Sequence, residues 1–267
     1  MFWFYLAIQN EIDFLSLFYL FSALGYPINE FIVIRFMKFA IVIFPGSNCD
    51  RDTVWALQKT MDCHISMVRH EQRNLGNPDL VIIPGGFSYG DYLRAGAIAR
   101  YSPVMESVLA FSKKGGSILG ICNGFQILCE SELLPGTLIT NQNGLFCSKN
   151  TFIRTENNTT LLSCDLKKHQ ILKIPIANKE GRYYAPKETL KTLNDNQQIV
   201  FRYCNENGEA DTLSNYGGSD ENIAGICNAK KNVFGIMPHP ERAVDIDSGN
   251  TDGQLIFQSI QKFFFRK

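Results

Sequence analysis

The chain has 267 residues, 45% of them hydrophobic, which is enough to bury one substantial core in one or two domains. Lys plus Arg and Asp plus Glu both number 26, so the formal net charge is zero and the basic surplus that a nucleic-acid partner would demand is missing. The eight cysteines, at 49, 63, 122, 129, 147, 164, 204 and 227, show no CxxC or metal-ligand spacing, and the four histidines are scattered. They read as reduced thiols of a cytoplasmic protein, with neither a disulfide framework nor a metal site.

Residues 1–36 differ from everything after them. They are crowded with Phe, Leu and Tyr, and residues 14–29 carry no charge. Glu11 and Asp13 precede that run and no Lys or Arg occurs before Arg35, so the positive start of a secretory signal is lacking. The run, broken by Gly25 and Pro27, is also shorter than the roughly 20 residues that span a bilayer. Residues 1–36 are expected to be an apolar leader, non-native or dispensable, with Met37 as the natural start. A membrane-associating segment and an extra packed element are the other readings.

From Met37 onward apolar runs alternate with amphipathic segments. Residues 38–44 read as a strand, 45–48 as a loop, and a helix starts near Asp50 with Val54, Ala56, Leu57 and Met61 on its apolar side. Residues 63–69 and 79–83 read as strands, the latter ending in Pro84-Gly85-Gly86. A helix near 103–114 leads to the short apolar run Ser117-Ile118-Leu119 and a further helix over 123–131. Strands separated by helix-length segments predict βαβ units and a parallel sheet buried on both faces. The second half is richer in strands, at 145–156, 171–176, 198–204, 223–227 and 232–237, and closes with a helix over 251–264. No linker divides the halves. The expectation is therefore one α/β domain over 37–267, a flavodoxin-like, mostly parallel sheet flanked by helices, with a strand-rich insertion. Chemistry in such sheets gathers at the carboxyl ends of the strands.

One such end stands out. In Gly120-Ile121-Cys122-Asn123-Gly124-Phe125-Gln126, Cys122 lies between a strand and a helix with glycine on both sides, a tight turn that presents the thiol at the sheet edge. The dipole of the following helix favours a thiolate there. A thiolate nucleophile needs an imidazole to carry protons, and the imidazole needs an acceptor to fix its tautomer. Met237-Pro238-His239-Pro240-Glu241-Arg242 follows another apolar strand and offers both. Extended, period-2 geometry between the prolines would point His239 and Glu241 the same way. Cys122, His239 and Glu241 are the candidate catalytic triad. Against it stands the bland reading of a small apolar filler and a satisfied core histidine. Cys129, Cys63, Cys204 and Cys227 read as core packing.

These two stretches resemble the class I glutamine amidotransferases. Further stretches are similar to one branch of that family, the glutaminase subunits of phosphoribosylformylglycinamidine synthases: Phe44 to Asp50, Pro84 to Asp91, Ile174 to Ala177, Glu180 to Tyr184 and Asn222 to Ile226. The likeness runs from Met37 to about Phe265. It implies that Cys122 attacks the side-chain amide of glutamine, giving a γ-glutamyl thioester and ammonia, with His239 and Glu241 moving protons. It implies an oxyanion hole from the backbone N–H groups of Asn123 and of Gly86 in the Gly85-Gly86 turn. It also implies that Gln126 helps to hold the substrate, where the bland alternative is a solvent-facing helix residue. The loop Phe87 to Arg94 reads as a glutamine contact or gate, or as a solvated turn. Where the family carries His-Gly this chain has Asn178-Lys179, so no coupling or partner role is carried over to that loop.

The resemblance also assigns partners. No Gly-x-x-x-x-Gly-Lys-Ser/Thr loop is present for phosphate binding. No cofactor is expected in this chain. ATP and Mg would be used by a separate large synthase subunit, with a small third subunit in the assembly, and no membrane partner is expected. Two other readings remain open from the residues alone: a different Cys-His hydrolase on the same scaffold, and a flavodoxin-like binding module whose 45–49 loop holds a phosphate.

Overall fold

Short Val/Ile-rich runs form the middle of a nine-stranded sheet, and their lack of polar alternation follows from burial on both faces. The computed structural model describes residues 36–265, so the leader expected over residues 1–36 lies, but for Phe36, outside the described residues. The strands are β1 (Met37–Ile43), β2 (Cys63–Arg69), β3 (Leu80–Ile83), β4 (Ser117–Ile121), β5 (Thr137–Ile139), β6 (Cys147–Thr155), β7 (Ile171–Asn178), β8 (Arg182–Tyr184), β9 (Ile199–Cys204), β10 (Ile223–Cys227) and β11 (Val233–Ile236). The helices are α1 (Asp50–Thr60), α2 (Pro103–Lys113), α3 (Asn123–Glu130), α4 (Lys187–Asp195) and α5 (Gly253–Phe265).

The sheet order is β2-β1-β3-β4-β11-β10-β9-β6-β7. From β2 to β11 neighbouring strands are parallel, and from β11 to β7 they are antiparallel. The strand-rich second half therefore continues the same sheet. Its chain re-enters the parallel half at β11, which lies beside β4 with Ile236 paired to Ile121. On the other side β3 pairs with β4, Ile83 opposite Gly120. Three strand ends are thus in register, and whatever follows them shares one rim.

Helix boundaries follow local chemistry. Asp50 and Asp52 lie in the first turn of α1 and Lys59 in its last, each complementing the helix dipole. Pro103 opens α2 at a position where no backbone N–H is needed. All eight residues of α3 are buried, so this helix is core on every side. Two features escape the sequence reading. β5 and β8 form a separate two-stranded sheet of three residues each, too short to carry a pattern. The helix α4 buries only Leu193, leaving it a mostly solvated element with little apolar signal.

Candidate active site

Cys122 sits at φ 50° and ψ −105°, outside the regions open to L-residues without strain. The strain is imposed by neighbours. Its backbone N–H donates to Ile236 O at 2.8 Å, tying the turn to β11, while its own carbonyl accepts from Gln126 N at 3.1 Å as the helix begins. Gly124 lies directly against the carbonyl of Ile83, where any side chain would collide with backbone. The elbow is clamped between β3 and β11 and holds the thiol at the sheet edge.

The register of β4 and β11 brings His239 to the same place. His239 and Glu241 are each 1% exposed, and Nδ1 of the ring and Oε1 of the carboxylate are 2.6 Å apart. The expected extended geometry is not what joins them. Pro240–Arg242 forms a 3-10 turn, and this turn, not a period-2 strand, swings the carboxylate behind the ring. Proline at 240 fixes φ and opens the turn. The His239 N–H donates to Pro175 O at 2.8 Å, anchoring the segment to β7. Burial disfavours a charged imidazole here, but the Glu241 carboxylate and the Cys122 sulfur beside the ring outweigh it and hold its pKa well above the usual histidine range. Nε2 and Glu241 Oε2 make no hydrogen bond of normal geometry within the protein.

The Gly85-Gly86 turn closes over this pair. A methyl group on Gly85 would meet His239 Cε1 at 2.8 Å, Cys49 Sγ at 3.2 Å and Cys122 Cβ at 3.4 Å. Gly86 follows at φ 136°. The backbone can approach the nucleophile this closely because Gly85 has no Cβ. The Cys122 sulfur also lies 3.9 Å from Ala177 O at the end of β7, and Asn178 beside it is buried.

Gln126 is 6% exposed, so it is not a solvent-facing helix residue. Its Nε2 donates to Glu180 O at 2.7 Å and its Oε1 accepts from Asn123 Nδ2 at 2.9 Å. Asn123 in turn donates to Asp91 Oδ1 at 3.1 Å and accepts from Ser88 N at 3.1 Å. The backbone of Ala95 donates to Glu180 Oε2, and Arg94 grips Glu130 with two bonds of 2.7 and 2.6 Å. The loop from Phe87 to Arg94 is therefore anchored to α3 at several points and, through Ala95 just beyond it, to Glu180, while Tyr92 and Leu93 at its tip are exposed. Burial, with the Glu180 carboxylate nearby, pushes the Asp91 carboxyl up to about 6.

The sequence reading missed two participants. Cys49 is 2% exposed and its sulfur, a ring nitrogen of His239 and a carboxylate oxygen of Glu241 lie within 4.8 Å of one another. Arg242 Nη2 donates to that sulfur at 3.0 Å and its Nε donates to Asp52 Oδ2 at 3.1 Å. Both residues fall inside stretches that carry the family resemblance, Phe44 to Asp50 and Pro238 to Arg242. That placement was the only signal for them.

Residues 37–264 match the family model of the CobB/CobQ-like glutamine amidotransferase domain. The "Phosphoribosylformylglycinamidine synthase subunit PurQ" of Acaryochloris marina is 51% identical over 224 residues, covering 84% of this chain and 95% of that protein. Its namesake from Aquifex aeolicus is 47% identical, covering 84% and 99%. A solved structure described as PurLQS from Thermotoga maritima superposes with a TM-score of 0.76 at 40% identity, covering 86% of this chain and 100% of that one. With a thiol, a carboxylate-backed imidazole and a glycine turn meeting at one sheet edge, and with likeness on this scale, the chain belongs to the CobB/CobQ-like glutamine amidotransferase family and within it to the PurQ subunits of phosphoribosylformylglycinamidine synthase.

Proposed function

We propose that this chain is the glutaminase subunit of a phosphoribosylformylglycinamidine synthase. It hydrolyses glutamine to glutamate and ammonia, and the ammonia serves an ATP-dependent synthase subunit that converts formylglycinamide ribonucleotide to formylglycinamidine ribonucleotide in purine synthesis. The observation that carries this reading is the buried imidazole of His239, held at 2.6 Å by Glu241 and packed beside the strained thiol of Cys122.

The chemistry runs in two halves. Cys122 gives its proton to His239, and the sulfur attacks the amide carbon of the glutamine side chain. Negative charge gathers on the amide oxygen, where the backbone N–H groups of Gly86 and Asn123 act as donors. His239 passes the proton to the departing nitrogen, ammonia leaves, and a thioester to Cys122 remains. Water, deprotonated by the same ring, then cleaves the thioester to glutamate and restores the thiol. Glu241 fixes the tautomer and stabilises the imidazolium in both halves. Gln126 shapes the substrate pocket through its links to Asn123 and Glu180.

The Thermotoga relative was solved as PurLQS, which supports placing this chain in a multi-subunit synthase with a large and a small partner. ATP and Mg belong to the large partner in this reading, and this chain needs no cofactor of its own. Among the described residues no helix is long and apolar enough to cross a membrane. A cytoplasmic site of action follows from the pathway proposed. The test is ammonia release from glutamine by the purified chain with its synthase partner, wild type against Cys122→Ala. Release that vanishes in the variant is expected; release that survives rejects the reading.

A further inference from the structure

Cys49 is a buried sulfur in the catalytic centre that the two half-reactions do not use. Its setting is unusually defined. The S–H donates to Asn48 Oδ1 at 3.3 Å, so what the sulfur presents elsewhere is its lone pairs. Arg242 Nη2 donates to it at 3.0 Å, and Asp52 at 3.1 Å from Arg242 Nε offsets the guanidinium charge. On the remaining side the sulfur packs against the His239–Glu241 pair, within 4.8 Å of atoms of both. Gly85 seals the contact, since a methyl there would touch both the ring and the sulfur.

We infer that Cys49 is a positioning residue for His239: its sulfur, fixed by Asn48 and Arg242, packs against the ring beside Glu241 and supports the imidazolium that forms when Cys122 gives up its proton. The inference rests on the glutaminase reading and deepens it. The carboxylate meets one ring nitrogen and the Cys122 sulfur lies beside the ring, and a second polarisable sulfur with its lone pairs inward further offsets the cost of a fully buried cation. The charged and titratable groups that act on the ring are Glu241, Cys122 and Cys49; behind them Arg242 with Asp52 acts on Cys49, and the buried Tyr203 hydroxyl faces the Cys122 side. Cys49 is among those that favour the protonated ring. A charge-supporting role fits these groups better than cation binding, because Glu241 already holds a ring nitrogen and a guanidinium lies on the sulfur.

The test follows the His239 ring directly, by NMR titration of the full chain labelled at its four histidines. Four versions are compared: wild type, Cys49→Ser, which keeps an acceptor, and Cys49→Ala and Cys49→Val, which remove it. The expected result is a titration midpoint lowered by about one unit in the alanine and valine variants and close to wild type in the serine variant. In the assembled synthase the alkaline limb of glutamine hydrolysis should move to lower pH in step, with kcat reduced about tenfold and KM unchanged. A midpoint unmoved in both acceptor-free variants, or lowered equally in the serine variant, overturns the inference. Because the ring is observed without turnover, this outcome is distinct from ammonia release surviving Cys122→Ala, which would overturn the glutaminase reading instead.

Discussion

Cys122 occupies a backbone conformation that glycine would adopt freely, and this makes an inversion of the usual substitution order a sharp test of the elbow. At φ 50° and ψ −105° a side-chain-bearing residue stores strain of about 1–3 kcal/mol, toward the upper end because the angles lie outside all the regions open to L-residues. Cys122→Ala removes the sulfur and keeps that strain. Cys122→Gly releases it, but loses the buried Cβ, about 0.8 kcal/mol, and gains unfolded-chain entropy worth about 0.4–1 kcal/mol. At an ordinary position alanine would therefore win by roughly 1.5 kcal/mol. Here strain of about 3 kcal/mol reverses the order, and the glycine variant should be the more stable by about 1.5 kcal/mol. For a domain of this size that is about 3–6 °C in Tm. Both variants lack the nucleophile and should release no ammonia, so stability and activity are read on the same two proteins by thermal denaturation and a glutaminase assay. An alanine variant more stable than the glycine variant by 1 kcal/mol or more would refute the claim that the elbow holds its nucleophile under strain.

Three further outcomes follow from the same geometry. Gly85→Ala should fold but lose at least about tenfold in kcat, because the new methyl would lie 2.8 Å from His239 Cε1 and displace the ring; unchanged kcat would mean the turn does not abut the reacting groups. Glu241→Gln should cut glutamine hydrolysis about a hundredfold or more and lower the His239 titration midpoint, since the carboxylate is the main charge favouring the imidazolium; NMR and steady-state kinetics read the two effects separately. Asp91→Asn should raise stability above pH 6 and not below pH 4. The folded carboxyl is pushed up to about 6 from about 3.8, so its penalty is absent when protonated in both states and complete once ionised in both. Allowing for its half-exposed position the gain is about 1 kcal/mol, and equal denaturation curves for the two proteins at pH 7.5 would contradict it.

Much of this protein could be read before its structure was considered. Alternation of Val/Ile-rich runs with amphipathic segments is a local property, and it predicted the parallel strands, α1, α2, α3 and α5 with ends shifted by a residue or two. The elbow around Cys122 was equally legible, because glycines flanking a cysteine after an apolar run have a backbone reason to be there. The carboxylate partner of His239 was found by the right pairing and the wrong geometry: adjacency in sequence made the pair visible, but Pro240 opens a 3-10 turn where an extended stretch was read. Beyond that range the sequence is silent. That His239 meets Cys122 is decided by β11 lying beside β4 with Ile236 opposite Ile121, a pairing between residues more than a hundred positions apart. Gln126 was named through the resemblance, but that it is buried, and not the solvent-facing helix residue of the bland alternative, is decided by Glu180 closing over it. Cys49 was one thiol among eight until the fold laid Arg242 on its sulfur. Patterns that act through neighbouring residues are written in the chain; contacts between distant strand ends exist only once the sheet has assembled.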